Sequence, residues 1–390
     1  MKLGFISEMS AEPIHGGGIT LSRVLGDDLR EISWFAKTLL YPGQSPPQYS
    51  DRKSHVFPWW QHQKVLQKFI GDYRGHKLAI HPFIRKRFAQ SVAKELLKLQ
   101  PDILTTKLLV CPQADISLMV LEELKRYAEI EYVSWMMDDH LVKWENQGWV
   151  YPNGFEAILS KHLCQAKQVF VISPAMKGFY KERFGVESTV LCAPSSPAEN
   201  TGVKFDNLAG QLRLVYFGSL GRWQNDALDM LLPPLKEQIV SLDVFTHNAD
   251  AITSELSEAG ARLHSGVPVN RVLEHASQYD ALVLPISFQD GLRNMSYFNI
   301  ATKFSEYLSS GVPSLVIGPS DAVMVDIVKR SKAGFVVDTN SKTQMFEILE
   351  TLRDGSARRE VVQSALELCA REFSLEIMRS RWLSAINALN

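Results

Sequence analysis

The chain has 390 residues, of which 45% are hydrophobic and 22% are charged, with a formal net charge of −1. This composition is typical of a globular protein and excludes a fibrous or a disordered chain. A single hydrophobic core rarely grows to this length, so we expect two domains. No apolar run reaches the roughly 20 residues that a membrane span needs. The start, MKLGFISEMS, lacks the apolar centre of a signal peptide, and we expect a cytoplasmic protein.

The four cysteines are far apart in the chain and form no CxxC pair. They are Cys111, Cys164, Cys192 and Cys369. This spacing argues against a zinc site or a disulfide framework and fits a reducing compartment. We therefore expect no zinc site; no other metal and no cofactor are predicted either.

The charge is unevenly distributed. Between Ser45 and Gln90, nine Lys or Arg stand against two acids, so this segment carries +7 and the rest of the chain −8. The same segment holds eight aromatic residues, including Trp59 and Trp60. Such a patch can meet anionic lipid, a phosphorylated acceptor or nucleic acid, or it can be a solvated face over core aromatics. Nucleic acid is the weakest of these interpretations, because no binding motif accompanies the charge.

The first half of the chain alternates strand-like and helix-like segments. KLGFIS predicts a strand, the loop HGGG follows, ITLSRVLGDDL has helical spacing and LREISWFAKTL predicts the next strand. This is the opening of an open α/β sheet. Residues 43–80, rich in Pro, Gly and His, predict an irregular insertion. Further helices are predicted at 85–99, DISLMVLEELKRYA, about 155–165 and PAMKGFYKERF, with strands at ILTTKLLV, EYVSWMM, QVFVIS and STVLC.

Residues 193–211 are polar and predict an interdomain linker, after which the alternation resumes. The predicted strands are LRLVYFGSL, SLDVFTH, ARLHSG, YDALVLPIS, 313–317 and 334–338, and the predicted helices are DALDMLLPPLKEQIV, NRVLEHASQ, 299–310 and 321–332. The last 50 residues read as helical, with the final segment crossing back to the first domain. The predicted fold class is α/β, with two Rossmann-like βαβ domains facing a cleft.

Two glycine-rich turns follow predicted strands, where ligands of doubly wound sheets bind. Residues 16–18 precede a helix, so the backbone can approach a phosphate or sugar closely. Because the stretch is neither a P-loop nor GxGxxG, a plain loop is an equal alternative. Residues 218–222 combine glycine amides with one Arg, which suits a diphosphate; the alternative is a tight turn with a solvated Arg.

Lys303 and Glu306 lie three residues apart on the predicted helix 299–310 and so share a face. They are either a surface ion pair worth a few tenths of a kcal/mol or part of a ligand site. The flanking strands are apolar, and the loop 287–298 is long enough to close over a ligand. We favour the ligand site, in which Glu306 accepts from ribose hydroxyls and Lys303 meets a phosphate.

Asp138, Asp139 and His140 stand at the end of the predicted strand EYVSWMM. Neighbouring side chains of an extended segment point to opposite faces, so only one aspartate needs to face the cleft. That carboxylate can bind a sugar hydroxyl or stabilise developing positive charge. A helix cap and a metal ligand remain open, although no second ligand cluster supports a metal.

Several of these stretches together resemble a known family. TKFSEYLSSGVPSLV resembles the NKLFEYLAAGKPVV signature of glycosyltransferases with the GT-B fold, in the large retaining, family 4-like group that uses nucleotide-sugar donors. YFGSLGRWQ matches that family's strand-turn at the start of the donor domain, and ALVLPISFQDGLRN matches the strand and loop before the signature. VLCAPSSPAE occupies the domain junction and GGGITLSRVLGDDL the N-terminal glycine loop. The match covers both domains in order.

The resemblance implies a metal-independent hexosyltransferase, EC 2.4, that moves a sugar from a nucleotide diphosphate sugar to a hydroxyl acceptor with retention. It implies an acceptor-side domain at 1–195 with the basic aromatic insertion at about 43–85, a linker at 196–211, a donor domain at 212–373 and a returning helix at 374–390. The donor-binding residues would be Gly17, Gly18, Gly218, Ser219, Gly221, Arg222, Gly291, Lys303 and Glu306. The catalytic residues would be Asp138, Asp139, Arg222 and Lys303.

The sequence departs from the family pattern at three places. Phe298 stands where many members have a second Glu, Ser219 stands where they have an Arg that Arg222 would replace, and residues 195–196 are Ser-Ser rather than Asn-Gly. These departures keep two alternatives open: a catalytically silent GT-B partner in a glycan-assembly complex, and a nucleotide-sugar epimerase. For the enzyme we expect a glycan or lipid-linked glycan acceptor in polysaccharide assembly and an anionic membrane surface, at the inner face, that meets residues 45–90.

Overall fold

The computed structural model describes residues 3–9, 12, 16–26, 32–40, 53–58, 82–152, 154–196, 205–248, 252–268 and 271–387. These residues form two compact units. The first unit comprises the described residues of Met1–Val142, Trp149–Leu191 and Arg381–Asn390, and the second those of Lys143–Gly148 and Cys192–Ser380. Most of the basic aromatic segment, including Trp59 and Trp60, lies outside the described residues.

The first unit is built on a parallel sheet of seven strands in the order β3-β2-β1-β4-β5-β8-β9. The strands are β1 (Leu3–Ser7), β2 (Ile32–Leu40), β3 (Lys53–Pro58), β4 (Lys107–Cys111), β5 (Tyr132–Met136), β8 (Gln168–Val171) and β9 (Thr189–Val190). All five residues of β1 and of β5 are buried, as expected for parallel strands covered on both faces. The strand order reverses between β1 and β4, which makes the sheet doubly wound.

Helices flank this sheet. They are α1 (Gly16–Leu25), α2 (Pro82–Leu99), α3 (Asp115–Leu124), α4 (Phe155–Gln165) and α5 (Pro174–Phe184). A 3₁₀ turn at Pro101–Leu104 also belongs to this unit. Between β5 and α4 the chain forms a two-stranded sheet of β6 (Lys143–Glu145) and β7 (Gly148–Val150). Buried side chains from β2, α2, β4 and α3, among them Trp34 and Leu121, form one apolar cluster.

The prediction of an irregular insertion at 43–80 was wrong for residues 53–58, which form β3 and pair in parallel with β2. Hydrogen bonding to β2 gives this polar segment a partner that its composition does not reveal. Helix α2 also begins at Pro82 rather than at residue 85, since proline suits a first helical turn.

The second unit contains a parallel sheet of six strands in the order β12-β11-β10-β13-β14-β15. The strands are β10 (Leu212–Phe217), β11 (Val240–Thr246), β12 (Arg262–Ser265), β13 (Ala281–Pro285), β14 (Ser314–Ile317) and β15 (Phe335–Val337). Its helices are α6 (Asn225–Leu228), α7 (Leu232–Lys236), α8 (Ser254–Glu258), α9 (Val272–Ala276), α10 (Arg293–Phe298), α11 (Thr302–Ser309), α12 (Val323–Ser331), α13 (Lys342–Arg353) and α14 (Gly355–Leu368).

For two segments of this unit, the predicted secondary structure was wrong. The segment DALDMLLPPLKEQIV is not one helix but α6, a 3₁₀ turn at Asp229–Leu231 and α7, because Pro233 and Pro234 cannot continue an earlier helix. The predicted loop 287–298 contains a 3₁₀ turn at Asp290–Leu292 and then α10. Helix α11 therefore begins at Thr302 rather than at residue 299.

The C-terminal segment continues from α14 through a π-helical turn at Cys369–Phe373 into α15 (Leu375–Asn387). Its residues from Arg381 onward belong to the first unit. There the buried Trp382 packs on Trp135 and Phe170, with ring centroids 6.1 and 5.3 Å away. The predicted return of the chain end to the first domain is confirmed. None of the helices in the described ranges is long and apolar enough to cross a membrane.

Candidate functional site

The turn that follows β10 is held tightly from within the second unit. Gly218 has φ of 137°, which side-chain-bearing residues rarely adopt, and its N–H donates to the Phe245 carbonyl at 2.9 Å. The Tyr216 hydroxyl donates to the Ser219 carbonyl at 2.6 Å. Asn248, at the end of β11, accepts the Leu220 N–H at 2.9 Å and donates back to the Leu220 carbonyl. These bonds fix the path of the turn.

The same turn also presents exposed side chains and backbone donors. Within the described ranges, the backbone N–H groups of Ser219, Gly221 and Arg222 donate to no acceptor. Ser219 and Arg222 are exposed, and the Arg222 guanidinium lies 4.5 Å from the centre of the Trp223 ring. Free amides beside a guanidinium, at the carboxyl end of a parallel strand, are suited to hold an anion.

Lys303, from α11, reaches the inner side of this turn. Its amine donates to the Tyr216 hydroxyl at 2.8 Å and lies 4.0 Å from the centre of the Tyr216 ring. A Cβ on Gly218 would clash with the Lys303 Nζ, so glycine is needed for space as well as for φ. Although the side chain is half-buried as a whole, the burial of its amine lowers the pKa of Lys303 to about 7, against the opposing effect of Glu306.

Glu306 lies one helical turn after Lys303 and is 7% exposed, so the pair is not a solvated surface ion pair. Helix α11 is anchored around it: the Tyr307 hydroxyl accepts the N–H of Phe217 at 3.1 Å, and Ser309 hydrogen-bonds to Ser195 at 2.8 Å. The structure thus brings together Gly218, Ser219, Gly221, Arg222 and Lys303, with Glu306 on the same helix as Lys303.

The other three predicted donor-binding glycines lie on elements other than this turn. Gly291 lies in the exposed 3₁₀ turn before α10, and a Cβ there would meet nothing within 4 Å. Gly17 and Gly18 belong to α1 in the first unit. A Cβ on Gly17 would lie 2.7 Å from the Met9 sulfur, so close packing is one reason for glycine at that position.

Asp138 and Asp139 follow β5 in the first unit and differ in their exposure and in their hydrogen bonds. The Asp139 carboxylate accepts the hydroxyls of Tyr151 and Tyr180 at 2.7 and 2.9 Å. It also accepts the backbone N–H groups of Leu141 and Val142 at 3.2 and 3.1 Å. Asp139 accepts four hydrogen bonds and is 3% exposed, so it stabilises the loop that follows β5. These contacts do not favour its predicted catalytic role.

Asp138 is the more accessible carboxylate of the pair. Its side chain is 29% exposed and lies 3.8 Å from the His140 ring nitrogen. Burial raises the pKa of Asp138 to about 6, and the charge of Asp139 adds to this while His140 opposes it. A carboxyl group that titrates near neutrality can accept a proton or bind a sugar hydroxyl.

Tyr216 and Asn248 were missed from the sequence. Asn248 lies two residues after the end of β11, so the rule that ligands meet the carboxyl ends of strands could have drawn attention to it. Tyr216 lies inside β10, and no local signal connects it to Lys303, which is 87 positions away.

Phe298, at the position of the family's second Glu, is 1% exposed and packs against Tyr297, so an apolar side chain occupies that place. No group of three or more His, Cys, Asp or Glu in the described ranges could hold a metal ion.

Comparison with known proteins identifies the fold. No family model matches the sequence, and no curated protein matches it. The structure of HepE from Anabaena in complex with UDP aligns over 100% of both chains, with a TM-score of 0.63 at 12% identity. Sucrose-phosphate synthase from Thermosynechococcus elongatus aligns over 100% of this chain and 99% of its own, with a TM-score of 0.68 at 10% identity.

The lipopolysaccharide outer core galactosyltransferase WaaB, in its apo form, aligns over 100% of both chains with a TM-score of 0.63 at 13% identity. At such low identity these likenesses establish the fold. The chain has the GT-B fold that these glycosyltransferases share.

Proposed function

We propose that the protein is a glycosyltransferase that moves a sugar from a nucleoside diphosphate sugar to a hydroxyl of a glycan or lipid-linked glycan, with retention. The observation that carries this proposal is the turn after β10. It offers backbone amides that have no acceptor among the described residues, the Lys303 amine, and a glycine where a side chain would displace that amine. It lies at the carboxyl end of a central parallel strand, where doubly wound sheets bind nucleotides.

The transfer reaction requires stabilisation of the negative charge on the leaving diphosphate. As the bond between the anomeric carbon and the phosphate oxygen breaks, its electron pair passes to the diphosphate. Lys303, Arg222 and the turn amides would stabilise that charge without reorganising, and such preorganised electrostatic stabilisation supplies most of the rate enhancement in many enzymes. Glu306 would accept hydrogen bonds from the ribose hydroxyls. These assignments follow the family resemblance and the geometry of the turn.

The acceptor step needs no protein nucleophile if the new bond forms on the face that the diphosphate leaves. The acceptor oxygen then bonds to the anomeric carbon, and its proton passes to the departing phosphate oxygen. Asp138 would bind a sugar hydroxyl or offset the positive charge that develops on the ring. Its partial exposure favours it over Asp139 for this role.

Uridine nucleotides are the first candidates for the donor. HepE has been crystallised with UDP and with UDP-glucose, and a trehalose-6-phosphate protein from E. coli with UDP-2-fluoro glucose aligns over 98% of both chains at a TM-score of 0.62. What those proteins bind is support for the proposal rather than a property of this chain.

The test is calorimetric titration of a panel of nucleoside diphosphates and their sugars into wild type and Glu306→Ala. We expect one diphosphate nucleotide to bind wild type and to bind Glu306→Ala at least about tenfold more weakly, the loss of one charged hydrogen-bonding group. Glu360→Ala, at an exposed position in the same unit, is the matched control and should bind like wild type. If no nucleotide binds wild type, the proposal is wrong.

A second candidate, the catalytically silent partner, is favoured by the buried Phe298 in place of an acid. Turnover distinguishes these two functions and the epimerase alternative. A glycosyltransferase releases the free nucleotide when a donor and an acceptor are supplied, an epimerase converts the donor without an acceptor, and a silent protein binds without release.

We also propose that the acceptor-side unit meets an anionic membrane surface. Helix α2 carries cations and apolar side chains at exposed positions, with Phe83 60% and Leu99 48% exposed. The exposed cations are Lys86, Arg87, Lys94 and Lys98. Flotation with phosphatidylglycerol vesicles should carry the protein at low salt and lose it at high salt, and Lys86→Glu with Arg87→Glu should weaken it. Equal recovery with neutral vesicles would contradict this.

A further inference from the structure

Tyr216 connects three parts of the second unit through one side chain. It lies in β10 with 0% exposure, and its hydroxyl both donates to the Ser219 carbonyl and accepts from the Lys303 amine. Its ring lies 4.0 Å from that amine. The hydroxyl therefore uses its donor on the turn and its acceptor on α11, and it fixes the position of Lys303 relative to Gly218.

The Lys303 amine has an unusual set of partners for a lysine. Within the described residues, its hydrogen-bond acceptor is the neutral Tyr216 hydroxyl, and no carboxylate lies within the 4.0 Å of an ion pair. Glu306, one turn later on the same helix, favours the charged amine. Nearby on the same helix, Tyr307 accepts the Phe217 N–H and the Ser305 carbonyl accepts from the Cys369 thiol. An amine in such surroundings gains little from its charge until an anion arrives.

A second lysine and tyrosine pair in the first unit shows the contrast. The Lys125 amine donates to the Tyr132 hydroxyl at 3.2 Å and lies 4.5 Å from the centre of that ring. Lys125, however, also donates to Glu122 and to Gln165, each at 2.9 Å. Lys125 is thus a paired cation, whereas Lys303 is held by a tyrosine next to a turn whose outer amides have no acceptor in the described part of the chain.

We propose that Tyr216 is a positioning residue that holds the Lys303 amine beneath the Gly218 turn, and that the donor diphosphate binds there together with a proton taken up by Lys303. This inference rests on the proposed function, because it names the group that the diphosphate would charge. The proton comes from solvent and adds to the lone pair of the amine. No other covalent change is involved.

The ionisation of the surrounding groups gives the direction of the pH dependence. Burial lowers the pKa of Lys303 to about 7. Burial raises the pKa of the Cys369 thiol to about 11, and burial raises the pKa values of Tyr216 and Tyr307 as well, so these three stay neutral. A bound diphosphate favours the ammonium form and raises the pKa of Lys303. Above pH 7, binding must then take up a proton, and the affinity should fall by up to about tenfold per pH unit.

The experiment is calorimetric titration of UDP at pH 6 and pH 8, each in two buffers of different ionisation enthalpy. Because an amine with a pKa near 7 is about 90% neutral at pH 8, wild type should take up close to one proton more at pH 8 than Lys303→Met does. The comparison with Lys303→Met removes the ionisation of UDP itself, which is common to both proteins. At pH 6 the difference between the two proteins should be small.

Tyr216→Phe keeps the ring and removes only the hydroxyl. Without its hydrogen-bond acceptor, the amine should become charged less readily, so the affinity should begin to fall at a lower pH than in wild type. A loss of about 5- to 10-fold at pH 8, for one hydrogen bond, should shrink at pH 6. Tyr132→Phe removes the same atom from the Lys125 pair and should leave the whole pH profile unchanged.

Three outcomes would overturn the inference, each for a different reason. Equal proton uptake by wild type and Lys303→Met at pH 8 would contradict the charging of Lys303. A Tyr216→Phe loss that is the same at every pH would reduce Tyr216 to a packing role. Binding of no nucleotide to wild type would overturn the proposed function, and the inference with it.

Discussion

The two units each place polar side chains after a central parallel strand, but they use them differently. After β5, the Asp139 carboxylate is filled by four donors from its own unit. After β10, the protein satisfies the inner side of the turn and leaves the outer amides of Ser219, Gly221 and Arg222 without an acceptor in the described part of the chain. A buried polar group with all its partners maintains the structure, whereas convergent groups with spare hydrogen bonds offer them to a ligand.

The largest expected effect follows from removing the Asp139 carboxylate, which has all its hydrogen-bond partners within the protein. Asp139→Ala leaves two tyrosine hydroxyls and two backbone N–H groups without their acceptor, and we expect a loss of about 3–5 kcal/mol in the free energy of unfolding. Urea denaturation measures it. A variant as stable as wild type but inactive would show that Asp139 is catalytic after all.

Lys303→Met should have the opposite effect to Asp139→Ala: a large loss of activity and little loss of stability. Removing a cation from the leaving diphosphate should lower kcat by about 10²- to 10³-fold, as measured by release of the nucleotide from the donor. Urea denaturation serves as the control, because the methionine fills nearly the same space. A denaturation midpoint that falls as far as in Asp139→Ala would erase the difference between the two regions.

Gly218→Ala tests whether the turn must be glycine. The new Cβ would have to displace the Lys303 amine at a φ of 137°, and we expect about tenfold weaker nucleotide binding together with about 1–2 kcal/mol of backbone strain. Gly178→Ala, at a position in α5 where a Cβ meets nothing within 4 Å, is the matched control. Equal binding by both variants would contradict the assigned geometry.

The smallest effect concerns Asp138. Because its pKa is raised to about 6, it is ionised above pH 6, and the rate of transfer should rise with pH through that region if the carboxylate form is the active one. Asp138→Asn should retain part of the activity and lose this rise. A profile with the same rise in Asp138→Asn would assign the titration to another group.

Much of the fold follows from the sequence because its signals are local. The apolar runs predict most strands of both sheets, and the spacing of YFGSLG places a glycine turn directly after one of them. The Pro233-Pro234 pair is a local signal as well, since proline cannot continue a helix, and it separates α7 from α6. Strand β3 has no such signal, since it is defined by pairing with β2.

The candidate site divides in the same way. Lys303 and Glu306 are predictable because they lie three residues apart on one helix. The Tyr216 to Lys303 bond and the bonds from Tyr151 and Tyr180 to Asp139 join residues that are 12 to 87 positions apart. Only the fold brings such pairs together, so the sequence could not tell which aspartate is saturated or which tyrosine holds the lysine.

The central claim is that the turn after β10 and Lys303 bind the diphosphate of a nucleotide-sugar donor. Titration of UDP into wild type, Lys303→Met and Lys125→Met tests it most directly, since both lysines donate to a tyrosine hydroxyl. We predict that Lys125→Met binds UDP like wild type, while Lys303→Met binds at least about tenfold more weakly, as for a lost charged contact. UDP binding that is equal in Lys303→Met and wild type would contradict the account.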